Sequence, residues 1–103
     1  MTIITVFRSR LREGVEGDYQ PLAQEMGRLA SSMKGFVDQK SYVSPDGECV
    51  TVVRFADLES HRRWARNPEH LEAQERGRAE FYSWYDISVS EESYSRSFEN
   101  LES

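Results

Sequence analysis

The chain has little of the chemistry that most readily announces a protein's task. It holds one cysteine (Cys49), two histidines and three prolines among 103 residues. A lone cysteine excludes an internal disulfide and fits a reducing cytoplasm. So few histidine and cysteine side chains exclude structural zinc, so no metal is expected. Basic residues number 13 against 18 acidic ones, a net charge of −5. With the signs interspersed, no basic stripe is left for nucleic acid or an anionic membrane. No apolar run is long enough to cross a bilayer, and no cationic start followed by an apolar stretch marks a signal peptide. These absences predict a cytoplasmic, acidic, metal-free domain with no membrane or nucleic-acid partner.

What is present is a sequence of strand-like and helix-like runs. "TIITVFRSRL" is rich in β-formers, and "REG" breaks it. From Val15 to Met33 the apolar positions Val15, Tyr19, Leu22, Ala23, Met26, Leu29, Ala30 and Met33 recur at helical steps. Pro21 is best tolerated near a helix start, which places the regular helix from about Asp18. Gly35 is suited to a left-handed cap. "FVDQKSYVS" and "ECVTVVRFA" flank Pro45-Asp46-Gly47 and read as a hairpin. Asp57 is a helix N-cap for "LESHRRWAR". Asn67-Pro68 interrupts that helix and restarts it as "PEHLEAQERGRAEFY". "YSWYDISVS" is the fourth strand. Residues 1–92 form one domain, and residues 93–103 a polar tail with Phe98 as its candidate anchor.

The order β-α-β-β-α-β is the ferredoxin-like α+β arrangement, whose first and third strands are central. Both are apolar on both faces, through Ile3, Phe7, Ile4 and Val6 in one and Val50, Val52, Val53 and Phe55 in the other. Two helices cover only one face of such a sheet. The other face is expected to meet a second copy in a two-fold homodimer; the polar tail folding back is the weaker alternative.

"MKGFVDQKSYVSPDG" and "RFADLESHRRWARNPEHLEAQERGRAEFYSWYDISV" together resemble the antibiotic biosynthesis monooxygenase family of dimeric α+β barrels, over residues 2–92. The specific parts are the Gly-Phe opening strand two, the Asp-Gly turn, the Trp64 helix, the "NPEH" break and "AQERGR" running into "FYSWY". The resemblance implies a dimeric α/β barrel and, less specifically, oxygenase chemistry, because the scaffold serves several activities. In the haem-degrading branch, an asparagine, a tryptophan and a histidine serve the haem. Trp64 stands at the tryptophan position, but Phe7 and Gln74 stand at the other two, which argues against iron ligation. In the polyketide-oxidising branch, an asparagine and a tryptophan position the substrate, and Arg54 and Leu58 occupy those places.

The candidate site residues come from the aromatic-rich stretch 64–85. His70, Gln74, Gly77 and Phe81 recur at steps of four, three and four, flanked by Leu71 and Arg78. A core stripe would be aliphatic, whereas this one offers an imidazole and an amide, with Gly77 leaving room. Either the helix roofs a ligand pocket, or His70 and Gln74 are surface residues beside Asn67. Trp64 supplies an apolar wall with one N–H donor, and Tyr82 a phenol at the helix-to-strand junction. Arg54 either snorkels to solvent or aims a cation into the cavity. The expected catalytic set is His70, Arg54 and Trp64, with Gln74, Tyr82, Asn67 and Phe7 binding the substrate. The expected function is a cofactor-independent monooxygenase acting on a small aromatic phenol or quinol with dioxygen. A non-catalytic dimeric binder of a hydrophobic metabolite is the alternative, and a haem-binding relative is a weaker one.

Overall fold

The computed structural model describes residues 1–101. In chain order it contains β1 (Ile3–Leu11), α1 (Glu16–Ser32), β2 (Phe36–Val43), β3 (Cys49–Phe55), α2 (Leu58–Ala65), α3 (Pro68–Arg76), a π-helical turn (Gly77–Phe81) and β4 (Tyr82–Glu91). The strands form one antiparallel sheet in the order β2-β3-β1-β4, with β1 and β3 in the middle. This is the expected ferredoxin-like α+β fold.

The local signals act where the residue types place them. Helix α1 starts at Glu16, two residues before the expected Asp18, so Pro21 lies in its second turn. The carbonyl that Pro21 leaves unbonded belongs to Gly17, which is exposed and so open to solvent. Gly35 is required twice. Its φ is +87°, and an added Cβ would lie 2.1 Å from Ser60 Oγ. Gly47, at φ +89°, closes the β2–β3 hairpin, where Ser44 and Glu48 pair through the Ser44 N–H at 2.9 Å. The Asp57 carboxylate accepts from Ser60 N–H at 2.8 Å and caps α2. The Asn67 side chain accepts from Glu69 N–H at 2.8 Å, with Pro68 at the first position of α3.

Strand alternation sends Ile3, Thr5, Phe7 and Ser9 of β1 towards the helices, opposite Phe55, Val53, Thr51 and Cys49 of β3. The packed core lies at one end of this face, where Ala30, Val53, Phe55 and Trp64 are buried with Met33 and Phe36 against them. Trp64 stacks on Phe55 with ring centroids 5.3 Å apart. The tail after β4 has no regular structure through Asn100. Phe98 does not anchor it, being 87% exposed, and Tyr94 at 75% is not buried either. A polar segment of this length holds too little apolar surface to offset the entropy of ordering it. Among the described residues no helix is long and apolar enough to cross a membrane.

Candidate functional site

The α1 stripe does two jobs along its length. Its C-terminal residues, Ala30 and Met33, pack on the core. Its N-terminal residues, among them Tyr19, Leu22 and Met26, stand off the sheet and roof a cavity of about 450 Å³. That volume falls in the range of small-molecule sites, roughly 300–1,000 Å³. The floor comes from the helix-facing rows of β1, β3 and β4, with Phe7, Ser9, Thr51 and Tyr85 among them. Trp64, His70, Ala73 and Gln74 close the side formed by α2 and α3, and Tyr82 the π-helical end. Exposed Gln20, Gln24, Ser41 and Val43 mark the mouth, between α1 and the edge strand β2.

Five of the seven sequence-derived site residues, Phe7, Trp64, His70, Gln74 and Tyr82, line this one cavity. Two do not. Arg54 follows Val53 and precedes Phe55, both buried towards the helices, so pleating turns it to the opposite face. There its guanidinium pairs with Asp38 and, at 3.5 Å, with Glu92. It offers no cation to the cavity. Asn67 is engaged as the α3 cap and lies outside the lining. Leu71 is 49% exposed and also lies outside the lining. Gly77 makes room for protein rather than ligand: a Cβ there would lie 2.3 Å from Tyr82 Cε2.

At the core end, the His70 ring lies 4.4 Å from Trp64, centroid to centroid. Trp64 Nε1 and His70 Nδ1 are buried without a hydrogen-bond partner among the described residues. An orphaned buried polar atom costs about 1–3 kcal/mol, which a ligand oxygen would offset. Burial lowers the His70 pKa below 6.5, the Ala65 carbonyl partly opposing the shift. The imidazole is therefore neutral at physiological pH, with one ring nitrogen able to accept a hydrogen bond or a proton. His61, also in contact with Trp64 at 6.0 Å, is lowered by burial and by Arg62.

At the other end, Tyr19 and Tyr82 share a hydrogen bond of 3.0 Å between their hydroxyls. Burial raises the pKa of both phenols, most strongly at Tyr82, which the bond to Tyr19 raises further. Arg12 holds this end in place. Its N–H donates to Phe81 O at 2.7 Å, and its guanidinium to the carbonyls of Arg78, Ala79 and Tyr82 at 2.9–3.2 Å. These are the carbonyls a helix end leaves without partners, here widened by the π turn.

Among the described residues the cavity lining holds no Asp, Glu, Lys or Arg, in a chain that is 30% charged. Sequence reasoning missed Tyr19, Ser9, Thr51 and Tyr85. Tyr19 was in view as one more apolar position of the α1 stripe. Ser9 and Thr51 follow from continuing the alternation that begins at Ile3 and Phe55.

The family model for antibiotic biosynthesis monooxygenase matches residues 2–76. The chain belongs to that family. The matched span includes α1, Trp64, His70 and Gln74, and stops before Tyr82 and β4. An uncharacterized protein of Bacillus subtilis (strain 168), YqjZ, is 30% identical over 94 residues, covering 91% of this chain and 82% of that protein. Among solved structures, Rv0793 from Mycobacterium tuberculosis superposes with a TM-score of 0.83 at 17% identity, over 94% of this chain and 100% of that one. SnoaB from Streptomyces nogalater, a cofactor-independent oxygenase, superposes with a TM-score of 0.76 at 17% identity, over 91% and 95% of the two chains. At such identities the superpositions establish the shared fold.

Proposed function

We propose that this family member is a cofactor-independent monooxygenase that oxidises a small aromatic phenol or quinol with dioxygen. The observation that carries the reading is a neutral, half-buried imidazole tilted against Trp64 beside an unpartnered indole N–H, in a cavity of ligand size. The likeness to SnoaB in fold agrees with it. His70 takes the phenolic proton, and Trp64 Nε1–H donates to the oxygen anion that results. The phenolate passes one electron to dioxygen, and the phenoxyl–superoxide pair joins at a ring carbon bearing hydrogen. The hydroperoxide loses that hydrogen as water when its O–O bond breaks. One phenol and one dioxygen thus give one quinone and one water. Gln74 orients the ring, and a ligand that fills the cavity displaces water from around the radical pair.

The test is oxygen uptake with a panel of naphthols and naphthohydroquinones. His70→Ala and Gln74→Ala should each lower kcat/KM at least tenfold, about 1.4 kcal/mol, with the melting temperature little changed. Turnover by the parent should rise with pH through a value below 6.5. Tight binding of the same compounds with no oxygen consumption would replace this reading with that of a non-catalytic binder.

We also propose that the open sheet face pairs with a second copy. Its centre is Ile4, Val6, Val50 and Val52, framed by Arg8, Arg10 and Lys40 on one hand and Asp38 and Asp86 on the other, with Asp46 of the hairpin turn paired to Arg10. A face with an apolar centre and both signs at its rim complements itself under a two-fold axis. Light scattering should give twice the 12.0 kDa chain mass; a monomer at tens of micromolar would overturn the pairing.

A further inference from the structure

The Tyr19–Tyr82 end of the cavity is a second polar feature that the oxidation chemistry at His70 does not use. We infer that the Tyr19–Tyr82 hydroxyl pair is a specificity site, binding an uncharged oxygen of the ligand and excluding anionic ligands. The inference rests on the cavity reading above and adds a selectivity to it.

Each phenol carries one O–H donor. The 3.0 Å contact commits one of the two protons, and among the described residues neither hydroxyl has another partner. One O–H and a set of lone pairs remain for a ligand, within a cavity that both residues line. The pair is held by rings rather than by flexible chains. Tyr82 meets Phe7 at 5.4 Å and Tyr85 at 5.7 Å, and Tyr19 meets Phe81 at 5.5 Å, centroid to centroid. Gly77 and Arg12 fix the backbone from which Tyr82 projects. A donor held in place before binding suits a carbonyl, ester or hydroxyl oxygen.

Among the described residues no cationic side chain, Lys or Arg, enters the lining to meet an anionic oxygen directly. The Arg12 guanidinium is engaged with three backbone carbonyls. Arg78 reaches the Tyr85 hydroxyl only at 3.5 Å, and it is exposed outside the lining. Both phenols have raised pKa values, so they remain neutral donors across the physiological range. A carboxylate entering here would lose its hydration without gaining a counter-charge.

The test compares methyl 6-hydroxy-2-naphthoate with 6-hydroxy-2-naphthoate, whose hydroxyl and carboxyl groups lie at opposite ends of the ring system, by titration calorimetry at pH 7.5 under nitrogen, using the full chain. The two share rings and hydroxyl and differ in one charge. The uncharged ester should bind at least tenfold tighter than the carboxylate. The double variant Tyr19→Phe/Tyr82→Phe keeps both rings and leaves neither hydroxyl orphaned. It should bind the ester at least fivefold more weakly, change carboxylate affinity less than twofold, and melt within a few degrees of the parent. Carboxylate binding within threefold of the ester, or an unchanged preference in the folded double variant, would overturn the inference. So would failure of both compounds to bind the parent, which would remove the cavity reading as well. A retained ester preference without oxygen consumption on admission of air would overturn only the oxygenase reading and support this one.

Discussion

On the helix side, β1 and β3 present Thr5, Phe7, Ser9, Thr51 and Val53, while one residue along they present Val6, Arg8, Val50, Val52 and Arg54 to the open side. The first set borders a core and a cavity. The second carries paired charges: Arg8 with Glu48 at 2.9 Å, Arg10 with Asp46 at 2.8 Å, and Arg54 with Asp38. The same strands thus sort charge by the parity of the position. That sorting keeps formal charge out of the cavity, where a low-polarity wall strengthens each hydrogen bond that a ligand meets.

The sharpest way to break the comparison is to place the same charge on either face. Val53 is 3% exposed in the packed core. Val53→Asp buries an unpaired carboxylate at a cost of several kcal/mol, comparable to the ~5–15 kcal/mol that holds a domain folded. Val53→Asp should abolish the cooperative thermal transition. Val6→Asp, half-buried on the open face, should leave a folded chain whose mass falls to that of a monomer. Two native dimers, judged by circular dichroism and light scattering, would contradict the assignment of faces.

A smaller effect contrasts two glycines. Gly17 has nothing within 4 Å of a built Cβ, whereas that atom at Gly77 would lie 2.3 Å from Tyr82 Cε2. Gly17→Ala should stabilise the chain by about 0.4–1 kcal/mol. Gly77→Ala, also in helical geometry, should instead cost about 1–3 kcal/mol through overpacking. It should also displace the Tyr82 ring and weaken ester binding. Equal melting temperatures for the two variants would mean that Gly77 is not held against the ring.

Much of this architecture was legible in the sequence because it depends on local physics. Asp57, Asn67-Pro68, Gly35 and Pro45-Asp46-Gly47 each satisfy a nearby backbone requirement, and each marks a boundary in the structure. The element order placed β1 and β3 centrally, and the apolar character of both their faces agreed with it. Arg54 was misplaced for want of parity. The sequence shows that Val53 and Arg54 face opposite ways, but not which of them meets the helices. Tyr19 shows a related limit. A helical stripe identifies the side turned to the sheet, but not where along it contact gives way to a cavity. Only the distance of α1 from Phe7 and Tyr82 separates Tyr19, which lines the cavity, from Ala30, which packs the core.

The buried histidines sharpen the comparison through pH. The folded-state pKa values of His61 and His70 are lowered by burial, so the folded chain binds fewer protons than the unfolded one as pH falls. Stability from these groups is complete above about 6.5 and declines as pH drops through that value towards the folded-state values. Asp46 titrates in a lower window, held down to about 2 chiefly by its bond to Ser44. Melting temperature should therefore fall between pH 7 and 5. A His61→Gln/His70→Gln variant should flatten that limb and leave the steeper loss below pH 4. An unchanged limb would assign it to other groups.

The smallest expected effect is at Arg54, and its smallness is informative. Its side chain is 36% exposed and pairs with Asp38 and Glu92, whose side chains are 49% and 19% exposed. Pairs of this kind contribute roughly 0–1 kcal/mol, since solvent screens both charges. Arg54→Gln removes the cation while keeping a stem that reaches across the open face, so it should lower the melting temperature by only a few degrees. Because the guanidinium lies on the far side of the sheet from His70 and Tyr82, kcat/KM in oxygen uptake and the ester-to-carboxylate preference should both stay within twofold. A loss of turnover as large as that of His70→Ala, in a variant that still folds and has the parent's mass, would bring Arg54 back to the site. The segregation of charge between the two faces would then lose its functional meaning.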